Sequence, residues 1–171
     1  MRHNSASPTV PDRVLLVADW NVDPQAVVDA VRSRPPAAAL SLLVPAKLNG
    51  LDWVGDPYAS VPCAQRQLDR IVELARDAGL TFSTASVGDP EPLAAICDAL
   101  ADCPAERIVL FARRGRLSAL HPFDLFSRTR RLPGLQAVER LELPGAVRNT
   151  RRRAWPALRN GHCTLEQPLS A

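Results

Sequence analysis

"RVLLVADWNVDPQAVVDAVRSRPPAAALSLLVP", residues 13–45, decides the fold. "RVLLVADW" is a continuous apolar run that closes on an acid, the pattern of a strand buried on both faces. Asp23 then stands as an N-cap with Pro24 at the first helical position, where its missing N–H costs nothing. Val27, Ala30 and Val31 fall on one face of the helix so begun. "AAALSLLVP" (37–45) is a second buried strand, stopped by Pro45 because proline cannot donate to a ladder. Strand, helix and strand in this order make a parallel unit with a right-handed crossover.

The same alternation continues. A loop-like stretch, 46–61, carries Trp53 and Tyr58, which are read as cover for adjacent helices or as a lid on a crevice. The spacing of Ala64, Leu68, Ile71, Ala75 and Ala78 predicts a helix over 61–78, ended by Gly79. "LTFSTASV" (80–87) is more polar and alternating, as suits a sheet edge. "GDPEPLAAICDAL" (88–100) predicts a third helix with Asp89 as N-cap and Pro90 first; Leu93, Ile96, Cys97 and Leu100 form its apolar stripe. "RIVLFA" (107–112) is the fourth strand, a turn and short helix run to about 131, and "LQAVERLEL" (135–143) is the fifth strand. The whole is an α/β fold, a three-layer sandwich around a five-stranded parallel sheet. Residues 1–12 and the basic stretch 145–171 are expected to be loose, leaving 13–144 as the domain.

Composition narrows the function classes. The 171 residues are 46% hydrophobic and 23% charged, with a net charge of +3, values ordinary for one soluble domain. Seven arginines (107, 113, 114, 116, 128, 130, 131) crowd residues 107–131, and five more (148, 151, 152, 153, 159) lie beyond 145, whereas the only lysine is Lys47. Cys63, Cys97, Cys103 and Cys163 show no paired spacing, so neither a disulfide framework nor a zinc site is expected, and three of them are read as core or near-core thiols. The apolar runs are too short to span a bilayer and no signal peptide is recognisable, which makes the cytoplasm the expected compartment. "NTRRRAW" pairs basic residues with an aromatic, but no helix-turn-helix or stacking motif accompanies it, so nucleic acid is not an expected partner.

Open parallel sheets bind ligands beyond the carboxyl ends of their strands, where strand order reverses. With the first and fourth strands side by side, that crevice lies between "VADWNVD" and "FARRGRLS". His121, before Pro122 and near Asp124, is read as a helix-entry residue rather than an acid–base catalyst, since no nucleophile motif stands beside it.

Three features in order, "VLLVAD" ending in an acid, "VGDPEPLAAICDAL", and a last strand with no helix after it, resemble the universal stress protein family over about residues 12–144. The resemblance implies a Rossmann-like sheet of order 3-2-1-4-5, a homodimer joined through 135–143, and ATP or AMP as ligand in the nucleotide-binding branch. That branch carries G-x2-G-x9-G-[ST] after the fourth strand. Its glycines admit backbone N–H groups to the phosphates, and a helix N-terminus adds a favourable dipole. Here the motif positions are Gly115, Ser118, Arg128 and Thr129, with two of three glycines replaced. Arg113, Arg114 and Arg116 supply guanidinium groups that bind phosphate bidentately. The resemblance gives Asp19 a ribose or adenine contact, against a local role capping the turn. It gives Val44 backbone contacts to adenine, with Pro45 removing one donor. A binding or regulatory module and a nucleotide phosphohydrolase or transferase both remain, as does a ligand-free scaffold. The first is preferred, because no P-loop or acid cluster supplies a nucleophile or metal.

Overall fold

A computed structural model describes residues 13–37, 39–46, 60–113 and 125–146. The elements run β1 (Arg13–Ala18), α1 (Pro24–Arg32), β2 (Ala39–Pro45), α2 (Val61–Asp77), β3 (Thr84–Gly88), α3 (Pro92–Asp102), β4 (Arg107–Arg113), α4 (Leu125–Thr129) and β5 (Ala137–Leu143). The five strands form one sheet of order β3-β2-β1-β4-β5, with every neighbouring pair parallel. This is the Rossmann-like α/β architecture expected from the sequence.

Period-two alternation sorts the core into two layers. Val14, Leu16 and Ala18 of β1, Leu42 and Val44 of β2, and Val109 and Phe111 of β4 face α1 and α2. Leu15 and Val17, Leu43, and Ile108 and Leu110 face α3 and α4. The helices answer with matching stripes: Val27, Val28 and Val31 on α1, Ala64, Leu68, Ile71 and Ala75 on α2, and Ala95 and Ile96 on α3. Burying each large aliphatic side chain stabilises the fold by about 1.5–3 kcal/mol. β3 is the polar edge strand, with Thr84, Ala85 and Ser86 exposed. It starts at Thr84 rather than at 80; Leu80 and Phe82 pack onto the α1–α2 layer from the preceding connection.

Local chemistry sets the helix ends. Asp23 accepts a hydrogen bond from the Gln25 N–H at 3.2 Å, and Pro24 opens α1 as expected. Gly79 ends α2 with a φ of 75°, in the left-handed region that glycine tolerates. The start of α3 differs from the sequence expectation. Its N-cap is Glu91, whose Oε2 accepts from the Ala94 N–H at 2.6 Å, and Pro92 is the first helical residue. Asp89 instead accepts from the Glu91 N–H at 2.8 Å, making a turn before the helix. The cause is Pro92, which drives Glu91 into extended backbone (ψ 109°) and so forbids a helix begun at Pro90.

The apolar stripe of α3 is corrected too. Ala95 and Ile96 are buried with Ala99 and Leu100 packed beside them, while Cys97 is exposed. Residue 97 lies one helical step past Ile96, on the side turned away from the sheet. Cys63 and Cys103 are half-buried. Gly88 closes β3 where α3 comes in: a Cβ there would lie 2.6 Å from Ala95 Cβ and 2.8 Å from Leu43 Cδ1. Only the missing side chain lets the helix pack so close.

Ion pairs join the amino-terminal ends of the strands. Arg13 meets Glu106 at 2.8 Å, and Glu139 of β5 accepts from both Arg34 (2.8 Å) and Arg107 (2.9 Å). Hydrogen bonds from Arg34 and then Arg107 hold the Glu139 carboxyl below the usual glutamate range. A carboxyl whose folded pKa is depressed stabilises the protein above its unfolded pKa, and that contribution disappears as pH falls through the folded value. Glu139→Gln is therefore expected to lower stability at pH 7, by about 1 kcal/mol or less because the pair is partly exposed. In urea titrations the gap between variant and parent should close below an ordinary glutamate pKa of about 4.3. A gap independent of pH would contradict the assigned pairing.

Candidate functional site

β1 is flanked by β2 on one side and β4 on the other. The chain leaving β1 crosses to β2 while that leaving β4 goes on to β5, so strand order reverses between β1 and β4, and their carboxyl ends are where sheets of this kind open a ligand crevice.

The β1–α1 loop, residues 19–23, forms one wall of this crevice and is held from three directions. Asp19 donates its N–H to the Phe111 carbonyl of β4 at 3.1 Å, extending the ladder by one step. Gln67, a buried residue of α2, donates from Nε2 to the Val22 carbonyl at 2.8 Å. The third hold comes from the chain leaving β5. Val22 bridges Gly145 in antiparallel fashion, with the Asp23 N–H donating to the Pro144 carbonyl and the Ala146 N–H to the Asn21 carbonyl, each at 2.9 Å. Residues 144–146 thus strap the end of β5 to the β1–α1 loop, although the sequence places Gly145 and Ala146 outside the domain. Arg113, the last residue of β4, runs beneath the strap; a Cβ on Gly145 would lie 2.7 Å from Arg113 Nε. Glycine gives the guanidinium side chain its passage.

Within this loop Asp19 is half-buried. Its Oδ1 accepts from the Asn21 N–H at 3.3 Å and its carbonyl from the Val22 N–H at 3.2 Å, so it does shape the turn. The next two residues are unusual. Trp20 Nε1 and Asn21 Oδ1 are both buried with no hydrogen-bond partner among the described residues. Each such atom costs about 1–3 kcal/mol against a solvated or paired one, which makes them uncommon in folded proteins. Both atoms lie beneath the surface of this loop, and the Trp20 side chain packs against the α1–α2 layer.

The other sequence candidates divide into three groups. Val44 is fully buried in the α1–α2 layer. Beyond it the Ala46 N–H donates to Gly88 and the Ala46 carbonyl accepts from the Ser60 hydroxyl, so the polar groups just past β2 are engaged within the protein. Arg128 and Thr129 lie in the last turn of α4, at its carbonyl end, where the helix dipole repels anions. Arg128 Nη1 donates to Glu91 Oε1 at 3.0 Å, tying α4 to the cap of α3. Thr129 is fully buried, and its hydroxyl donates to the Leu125 carbonyl at 2.7 Å. Arg114, Gly115, Arg116 and Ser118 lie outside the described residues, as do His121, Asp124, Trp53, Tyr58 and Lys47.

Sequence reasoning missed Trp20, Asn21, Gln67 and the strap. Gln67 left a readable trace, a polar residue on the buried stripe of α2 between Ala64 and Leu68. The strap left none, because its pairing joins residues more than a hundred positions apart.

No protein-family model and no curated protein matches the chain. The resemblance drawn above therefore rests on its motifs.

Gln67 anchors the loop through a buried contact, so replacing it without changing its size isolates that hydrogen bond. Gln67→Leu should strand the Val22 carbonyl and cost about 1–3 kcal/mol in urea unfolding. An unchanged midpoint would mean that the loop is held without it.

Proposed function

We propose that this chain is a non-enzymatic binding or regulatory module of the universal stress protein type. Its ligand is an adenine nucleotide or another phosphate-bearing molecule, held in the crevice between the ends of β1 and β4. The observation that carries this reading is the pair of buried atoms Trp20 Nε1 and Asn21 Oδ1, without a partner among the described residues, in the loop beside Asp19 at the reversal of strand order, which a ligand reaches by displacing the side chains that cover them. A base or sugar offers both a hydrogen-bond acceptor and a donor to such a pair. Phosphates, which need cationic or N–H partners, fall to Arg114, Gly115, Arg116 and Ser118, directly after β4 in sequence. Arg128 and Thr129 play a smaller part in this reading, since Glu91 and the Leu125 carbonyl already engage their polar groups.

Two subsidiary readings accompany it. β5 stands at the edge of the sheet, and its free side supports a homodimer through 135–143, since an unpaired strand edge is a template for a second chain. No disulfide forms among Cys63, Cys97 and Cys103, which suits the reducing cytoplasm. No helix among the described residues is long and apolar enough to cross a membrane.

Native mass spectrometry of freshly purified protein addresses ligand and assembly together, and should show a dimer mass carrying an adenine nucleotide. Calorimetric titration with ATP should give binding that weakens by about tenfold or more in Arg114→Ala/Arg116→Ala, the loss expected for charge-assisted hydrogen bonds. Absence of heat with ATP, AMP and pyrophosphate would overturn the nucleotide reading. Phosphate release from ATP and magnesium would replace the module with an enzyme, and a monomer mass would remove the β5 interface.

A further inference from the structure

The amino-terminal end of the sheet, opposite the crevice, holds a separate cleft of about 360 Å³ on the side covered by α1 and α2. Its walls are Val14 and Leu16 of β1, Val31 of α1, Leu40 of β2, and Ala78 and Leu80 after α2. The local sequence explains why it stays open. The α1–β2 connection passes through Pro35 and Pro36, whose fixed φ angles stiffen the turn. On the facing side α2 ends in Ala78 and Gly79, which have almost no side chain to fill the gap. Leu40, Ala78 and Leu80 consequently remain only partly buried, whereas Leu16 behind them is 1% exposed. The volume lies within the ~300–1,000 Å³ range of small-molecule pockets.

The rim is cationic. Arg32, Arg34 and Arg107 line the cleft, and among the described residues Glu139 pairs with Arg34 and Arg107. Arg34 engages Glu139 through Nη2, which leaves its other guanidinium N–H groups to a ligand. Arg32 has no ion pair or hydrogen bond among the described residues. Apolar walls below an excess of guanidinium groups complement a molecule with a hydrocarbon body and one anionic head. Arginine suits a carboxylate head because its planar fork matches both oxygens.

We propose that this amino-end cleft is a second binding site, for a small amphipathic carboxylate. The hydrocarbon body lies against Leu16, Leu40 and Leu80, and the head is held by Arg32 and Arg34. The site is independent of the β1–β4 crevice and stands whether or not that crevice takes a nucleotide.

Calorimetric titrations of the full chain with octanoate, octanol and octylamine test the proposal. Octanoate should bind about tenfold or more tightly than octanol, the difference a charge-assisted head contact supplies, and octylamine should bind weakest because the rim repels it. Arg32→Ala should reduce octanoate affinity with little change in the thermal midpoint, since Arg32 is exposed and forms no ion pair or hydrogen bond among the described residues. Ala78→Leu, which places added carbons in the cleft, should abolish binding of octanoate and octanol alike. Circular dichroism confirms that each variant is folded. No octanoate binding, or octanol binding as tightly as octanoate, would overturn the assignment. So would an Ala78→Leu variant that is folded and binds like the parent.

Discussion

β1 is apolar on both faces, and that single constraint organises the molecule. A strand with Val14, Leu16 and Ala18 on one side and Leu15 and Val17 on the other must be covered twice. It therefore takes the central position, paired in parallel with β2 and β4 at once. Parallel pairing requires crossover connections, and the crossovers deliver the covering layers: α1 and α2 to one face, α3 and α4 to the other. The less apolar strands, β3 and β5, are left at the edges. The reversal of strand order between β1 and β4 follows from the same arrangement, and it is at such a reversal that open parallel sheets bind ligands.

Rigidity at that crevice comes from long-range bonds around a short loop. Residues 19–23 are tied to β4 through Phe111, to α2 through Gln67 and to the strap through Pro144 and Asn21. A loop so held can keep polar atoms of Trp20 and Asn21 away from water without collapsing onto them. The phosphate-motif positions fare differently. α4 is only five residues long, and Arg128 and Thr129 fall at its end rather than its beginning. Thr129 then satisfies its hydroxyl on the carbonyl four residues back, the common recourse of a threonine in a helix. Arg128 pairs with the glutamate that caps α3.

Much of this was legible in the residues because it depends on local chemistry. Asp23–Pro24 starts α1 where the sequence places it, and the stripe of Ala64, Leu68, Ile71 and Ala75 faces the core as its spacing requires. The polar alternation of 84–88 marks an edge. Readings failed where two local signals competed or where the deciding partner was distant. In "GDPEPLAAICDAL" two acid–proline pairs each resemble a helix start, and the second prevails because Pro92 extends the residue before it. In an alanine-rich helix, Cys97 and Ala95 are nearly interchangeable by hydropathy, so the stripe read from spacing takes in Cys97 and leaves out Ala95. The strap, the Arg34–Glu139–Arg107 cluster and the partnerless atoms of the β1–α1 loop all depend on tertiary neighbours that no local pattern encodes.

The central position of β1 between two parallel neighbours is the claim on which both sites depend, because it sets which chain ends meet at each end of the sheet. Cross-strand nuclear Overhauser effects between β1 and β4 in isotopically labelled protein test it most directly. Contacts in parallel register, from Val14 with Arg107 through to Ala18 with Phe111, are the result expected. An antiparallel register, or contacts linking β1 to β5 in place of β4, would contradict it.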